Sequence, residues 1–297
     1  MTRNWLLIVL AGTAACVGAA AAQDFPARPI RAVVPYAAGG LPDTMMRIAG
    51  QRMTEILGQQ VVVDNRPGAG GIAGCELVAN ATPDGYTLLI ADVAQTAINP
   101  ALFAKLPYDT LRDFAPVSLM GTSGQFLVAH ASVPAKTLAE LIKLVKSKPG
   151  QMRYGSGGIG SVHHLSMEAL KAPLGLDIVH VPYKGTGQAV PALLGVNTSK
   201  RNAQAPDVPT IGEITGIKDY DYPPAIGVMA PARTPKAVID RLAAAIAKSV
   251  QHPDTVSRYT TLGIDPVGNT PEQYAAQTRI DIAKYAKAVK ASGIKVE

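Results

Sequence analysis

The order of segments predicts an α/β protein in two parts with a ligand cleft between them. Short apolar runs alternate with amphipathic stretches along nearly the whole chain, the grammar of sheets covered by helices. Two glycine turns lead into helix starts, one in each half of the sequence, at Pro35–Thr44 and at Tyr154–His164. Open α/β sheets bind ligands where such turns leave the carboxyl ends of strands. A chain of 297 residues, 47% of them hydrophobic, is long enough for two modest domains.

In chain order, Arg3 and the apolar run from Trp5 into Ala11–Ala22 read as a signal peptide, residues 1–22. The small residues Ala20–Ala22 place the cut after Ala22, and the expected location is periplasmic. Thr13 stands where a lipoprotein motif around Cys16 wants leucine. "PIRAVVPY" is a strand ending in the Gly39-Gly40 turn. A helix is expected from Asp43, its cap, to Leu57, with Met46, Ala49, Met53 and Leu57 on one stripe. "QVVVDN" is a strand, then Gly68–Gly71 turns into a small-residue helix ending near Asn80. "PDGYTLLIAD" is a turn and a buried strand, with Asp64 and Asp84 assigned to turns.

The pattern resumes with strand "QFLVAH", helix Thr137–Lys148, strand "MRYGS", helix Ser161–Lys171 and strand "DIVHVPY". Leu138, Leu141, Ile142 and Val145 form one helical face. Val238, Leu242 and Ile246 mark another helix, and Ile282, Tyr285 and Val289 a last one. The sheets are expected to be parallel.

Several chemistries are excluded. Gly155–Gly160 is a literal G-x-G-x-x-G, but a dinucleotide site needs an acid at the end of the next strand. Asp177 begins that strand instead. No G-x-S-x-G elbow surrounds Ser156, and no H-E-x-x-H occurs. His163 and His164 are neighbours, about 100° apart on a helix, and cannot chelate one ion together. Cys75 is the only cysteine after the signal segment, so neither an internal disulfide nor a cysteine metal cluster is expected. The net charge of +6 is scattered, which disfavours nucleic acid as a partner. No cofactor, metal or catalytic residue is expected. Anion binding remains: N–H groups at a helix start, with glycines allowing close approach, favour a carboxylate or phosphate.

The segments "PIRAVVPYAAGGLPDTMMR", "GQQVVVDNRPGAGGIAG", "ATPDGYTLLIA", "INPALFAKLPYDTLRDFAPVSLM", "YGSGGIGSVHHLSMEAL", "DIVHVPYKGTGQAVPALLG", "SKRNAQAPDVPTIGE" and "APARTP" resemble, in order, the Bug-type (TctC-like) extracytoplasmic receptors of tripartite tricarboxylate transporters. The resemblance implies a type II periplasmic-binding-protein fold. The first domain would comprise 23–120 and 224–297, the second 121–223, with crossing strands between them. It also implies a small, usually carboxylate ligand held by two pincer loops, in a monomer that delivers it to transporter membrane subunits. A ligand-sensing partner of a membrane sensor protein, or a binding-impaired family member, are the alternatives.

Carried over by position, the first pincer holds Tyr36, Gly39, Gly40, Asp43 and Thr44. The second holds Ser156, Gly157, Gly158, Gly160, Ser161 and His164. Asp92 and Tyr183 are further candidates, and the Asp92 carboxylate is expected to repel an anionic ligand. After Gly195 the chain runs straight into Val196-Asn197-Thr198, where the family continues through a strand, a helix and a returning strand. Roughly thirty residues, one supersecondary unit, are missing. The second domain is therefore expected to be shortened, with one intact crossing strand, low stability and weak binding.

Overall fold

The computed structural model describes residues 25–182, 193–202 and 204–294, so the signal segment and Tyr183 lie outside the described residues. The first half opens with β1 (Ile30–Val34), α1 (Leu41–Leu57), β2 (Val61–Asn65), a 3-10 turn (Ala69–Gly71), α2 (Ile72–Ala79) and β3 (Thr87–Ala91). A π-helical turn (Ala94–Ile98), α3 (Asn99–Leu102) and α4 (Thr110–Asp113) lead to the long β4 (Phe114–Ser123). The second half holds β5 (Phe126–Val128), α5 (Leu138–Ser147), β6 (Arg153–Ser156), α6 (Val162–Leu174), β7 (Val179–Pro182), β8 (Leu193–Val196) and α7 (Ile211–Thr215). The chain returns through β9 (Ala225–Pro231), α8 (Lys236–Val250), α9 (Pro253–Thr261), β10 (Ile264–Pro266) and α10 (Pro271–Ser292).

Six strands form the main sheet in the order β10-β4-β9-β3-β1-β2. β1 runs parallel to β2 and β3, but β9, β4 and β10 join by antiparallel pairing. The expected parallel sheet is thus parallel only where helical crossovers connect the strands. Ile30, Ala32, Val33 and Val34 are all fully buried, as a strand covered on both faces requires. Met46, Ala49, Met53 and Leu57 point into the core as their spacing predicted. Helix α1 starts at Leu41 with Gly40 as its cap, so Asp43 occupies the first turn and is not the cap. Asp64 lies within β2, paired with Arg31 and Arg66, and not in a turn.

The second half has its own core, built from Leu138, Leu141 and Val145 of α5, Met167 and Leu170 of α6, and Ile178, Ile211 and Tyr220. Its strands form two separate pairs, β6 with β7 parallel and β5 with β8 antiparallel. No wider sheet links them among the described residues.

Both strands between the halves are present, which corrects the expectation of one intact crossing strand. β4 runs unbroken to Ser123 and pairs with β9 along seven register positions, from Phe114↔Pro231 to Thr122↔Ala225. Irregularities at Pro116/Ser118 and Leu119/Gly121 bend it. Bulges leave ladder groups unpaired, and Asn269 repairs this one: its side-chain oxygen accepts from Leu119 N–H at 2.8 Å and its carbonyl from Ser118 Oγ at 2.8 Å. Helix α10 closes over these strands. Gly227 of β9 has no side chain because Tyr274 lies there; a Cβ would fall 2.3 Å from the phenol ring.

Replacing Gly227 with Ala is expected to lower unfolding stability by about 1–3 kcal/mol, the usual cost of overpacking a core. The loss should be smaller when measured in a Tyr274→Leu background, because the two positions share one contact. Denaturant midpoints of the four chains in this cycle check it; additive effects contradict the packing.

Candidate functional site

The turn after β1 is shaped by one carboxylate. Asp43, only 2% exposed, accepts from Gly39 N–H at 2.8 Å and from Asn65 Nδ2 at 2.9 Å, and pairs with Arg47 at 3.0 Å. Burial pushes this carboxyl up, but the Arg47 guanidinium and the two N–H donors outweigh it and hold it below the ordinary aspartate value. Asp43 therefore fixes the turn and has little capacity left for a ligand. Thr44 N–H donates to Gly40 O at 2.9 Å, closing the first helical turn.

Tyr36 leaves the same turn in the other direction. Its hydroxyl donates to Asp92 Oδ2 at 2.7 Å and accepts from Gln95 Nε2 at 2.8 Å. Asp92 Oδ1 accepts Ala94 N–H at 2.6 Å, capping the π-helical turn. Both Asp92 oxygens are thus engaged, and burial raises its pKa despite the bonds from Tyr36 and the backbone. The carboxylate orients Tyr36 and starts the next helix; its charge does not stand free.

Gln95 and Asn99, 1% and 2% exposed, both donate to Gly70 O, at 3.1 and 3.2 Å. Tyr108 Oη donates to Gln95 O at 2.8 Å and braces the pair from behind. A Cβ on Gly71 would stand 2.6 Å from Gln95 Nε2, and a Cβ on Gly160 would stand 2.7 Å from Leu102 Cδ2 and 3.8 Å from Asn99 Oδ1. Asn99 thus lies between the Gly68–Gly71 turn of the first half and the Gly155–Gly160 turn of the second. Sequence reasoning missed Gln95 and Asn99, which carry no motif of their own.

In the second turn, Ser156 is 5% exposed and its Oγ accepts Gly158 N–H at 3.1 Å. His180 Nε2 lies 2.7 Å from the same Oγ. Gly160 N–H points at His164 Nδ1 at 3.3 Å, while Ser161 Oγ caps α6 by accepting His164 N–H at 3.2 Å and donates to Gly158 O at 2.7 Å. So two of the glycine N–H groups are spent inside the turn. For Gly157, Ile159 and the first two residues of α6, Val162 and His163, no backbone N–H acceptor is present among the described residues. Those are the donors an anion can use. Among the described residues no hydrogen bond joins the 36–44 and 155–161 turns to each other.

Behind the turn, His164 stacks on His180 with centroids 3.8 Å apart and 9° between planes, and His180 stacks on Tyr154 at 4.8 Å. Tyr154 Oη donates to Glu168 Oε1 at 2.5 Å, which also accepts from Lys171. Burial lowers both histidines, with His180 adding to the effect on His164, which falls to about 4. His180 is the third residue that the sequence reading missed.

The comparisons agree with this architecture. The family model described as the tripartite tricarboxylate transporter family receptor matches residues 45–199 and 192–294. The chain belongs to that family. BugT of Bordetella pertussis is 32% identical over 325 residues, covering 100% of this chain and 99% of BugT. Rpa4515 of R. palustris, solved with adipate, is 30% identical with a TM-score of 0.85, covering 92% of this chain and 99% of that one. MatC of Rhodopseudomonas palustris, solved with malate, is 31% identical with a TM-score of 0.81, covering 89% and 100%. The receptor thus has the fold of the periplasmic solute-binding proteins, and the resemblance read from its motifs holds.

His164 yields a pH prediction. A histidine whose folded pKa drops from 6.5 to about 4 contributes stability that is present above 6.5 and lost as pH falls toward 4. Replacing it with Asn should flatten the fall in melting temperature over that window. A wild-type curve level from pH 6.5 to 4 contradicts the buried neutral stack.

Proposed function

We propose that this receptor is exported by its N-terminal segment, captures a small carboxylate between its halves, and hands it to the membrane subunits of a tripartite transporter without chemically changing it. The reading rests on the convergence of turns from both halves on Asn99, beside unspent N–H donors at the start of α6. The dipole of α6 adds to those donors. Adipate in Rpa4515 and malate in MatC set the ligand class to try first. Backbone donors recognise an acid group and leave the remainder of the molecule to the walls of the cleft.

Purified protein should show a saturable rise in melting temperature with adipate, malate or another member of an organic-acid panel, and should return the acid unaltered. Binding of NAD(P), or ester hydrolysis at enzyme-like rates, overturns the reading. Gly158, at φ +125, should not tolerate Val. A β-branched residue in that region strains the backbone by about 1–3 kcal/mol. Gly158→Val is therefore expected to remove most ligand response from a chain that still unfolds cooperatively. Intact binding in that variant would place the site elsewhere.

The shortened second half is the other part of the proposal. The family match is in two pieces that meet at 192–199, and the BugT alignment has 325 positions against 297 residues here. Both fit a lost segment near Gly195, as does the division of the second half into two strand pairs. Unpaired strand edges favour aggregation. Grafting a family-typical segment between Gly195 and Thr198 should raise both melting temperature and affinity. If the unmodified chain melts as sharply and binds as tightly as the graft, the loss is harmless.

A further inference from the structure

Around the unspent N–H donors of the second turn, the groups able to accept a hydrogen bond are already engaged. Gly70 O accepts from both Gln95 Nε2 and Asn99 Nδ2, and Gly158 O from the hydroxyls of Ser156 and Ser161. A carbonyl has two lone pairs, so neither has room for a further donor. The carboxylates serve the protein's own donors as well: Asp92 holds Tyr36 and Ala94 N–H, and Asp43 holds Gly39, Asn65 and Arg47. Among the described residues of the 36–44 and 155–164 turns, the Thr44 hydroxyl is the one side-chain oxygen without a partner.

What these turns leave open is apolar. Ile159, between Gly158 and Gly160, is 51% exposed and belongs to no buried apolar cluster among the described residues. Its neighbour Gly160 lies against the first half, where a Cβ would stand 2.7 Å from Leu102 Cδ2. Ala37 and Ala38, at the tip of the first turn, are exposed, and Leu41 behind them is half-buried. Tyr36 of that turn and Gly70 share Gln95, so the apolar tip and the anion donors belong to one connected wall.

We propose that this site selects acids whose body is plain hydrocarbon, and that Ile159 sets the preference by lying on that body; the proposal rests on the carboxylate reading above. The acid group takes the N–H donors of Gly157, Ile159 and the start of α6, and the chain beyond it meets Ile159 and the two alanines. A chain bearing several hydroxyls leaves water for a wall where Thr44 is the single side-chain partner on offer. Hydroxyls desolvated without acceptors are disfavoured.

Calorimetric titration of the processed receptor tests this with acids matched in length and charge: adipate against galactarate, its tetrahydroxy counterpart, and succinate against tartrate. The unsubstituted member of each pair is expected to bind about tenfold to a hundredfold more tightly, the range in which apolar pockets reject added hydroxyls. Ile159→Ser should weaken adipate about tenfold and narrow both ratios. The melting temperature of the ligand-free receptor should not change, because that side chain stands half in solvent. Galactarate or tartrate binding as tightly as its partner overturns the proposal, as does an unchanged ratio in Ile159→Ser. A response confined to hydroxylated or amino acids overturns it too. Where acids bind without this ranking, the preference fails and carboxylate capture stands; where no acid of the panel binds, both fail.

Discussion

The antiparallel pairing of β4 with β9 is the constraint on which the other features depend. These two strands carry the chain out of the first half and back into it, and their ladder lies in the middle of the main sheet. A hinge made from strands must bend without losing hydrogen bonds, since a buried unpaired N–H is costly. The irregularities at Pro116/Ser118 and Leu119/Gly121 supply the bend. Asn269, together with Val267 N–H on Met120 O and Gly268 N–H on Leu119 O, supplies the bonds. Tyr274 against Gly227 then holds α10 over the joint. From that base α10 packs Tyr285, Ala288 and Val289 against Val162 and Leu165 of α6, so the helix that starts at the second turn is seated on the first half.

The candidate site follows from the same economy. In each turn, side chains take up some of the backbone donors: Asp43 that of Gly39, Ser156 that of Gly158, His164 that of Gly160. What is left over is small and directional, a few N–H groups in the second turn and at the start of α6. Preorganised donors of this sort bind without paying to be ordered first. The stack of Tyr154, His180 and His164 supports the turn from beneath, and neutral imidazoles suit that role better than charged ones.

Much of this was legible in the residues. Apolar stripes such as Met46, Ala49, Met53 and Leu57 gave helix faces that packing confirms, because a helix can bury only one side. The two glycine turns stood out because few other residues permit their backbone angles. β4 and β9 were harder: "FAPVSLM" and "AIGVMAP" contain prolines and no regular alternation, and their pairing joins positions more than 100 residues apart. Asp43 was misassigned by proximity, since an acid three residues into a helix and one at its cap look alike in sequence. Gln95, Asn99 and His180 meet partners distant in the chain, at Gly70 and Ser156, and no local pattern reports such contacts.

We propose that the two halves close about the β4–β9 joint when ligand binds. Small-angle X-ray scattering from the processed receptor, with and without whichever of adipate or malate raises its melting temperature, tests it most directly. A smaller radius of gyration and a shorter maximum dimension are expected when ligand is bound. A calorimetrically saturated receptor whose scattering curve superposes on that of the free protein would contradict it.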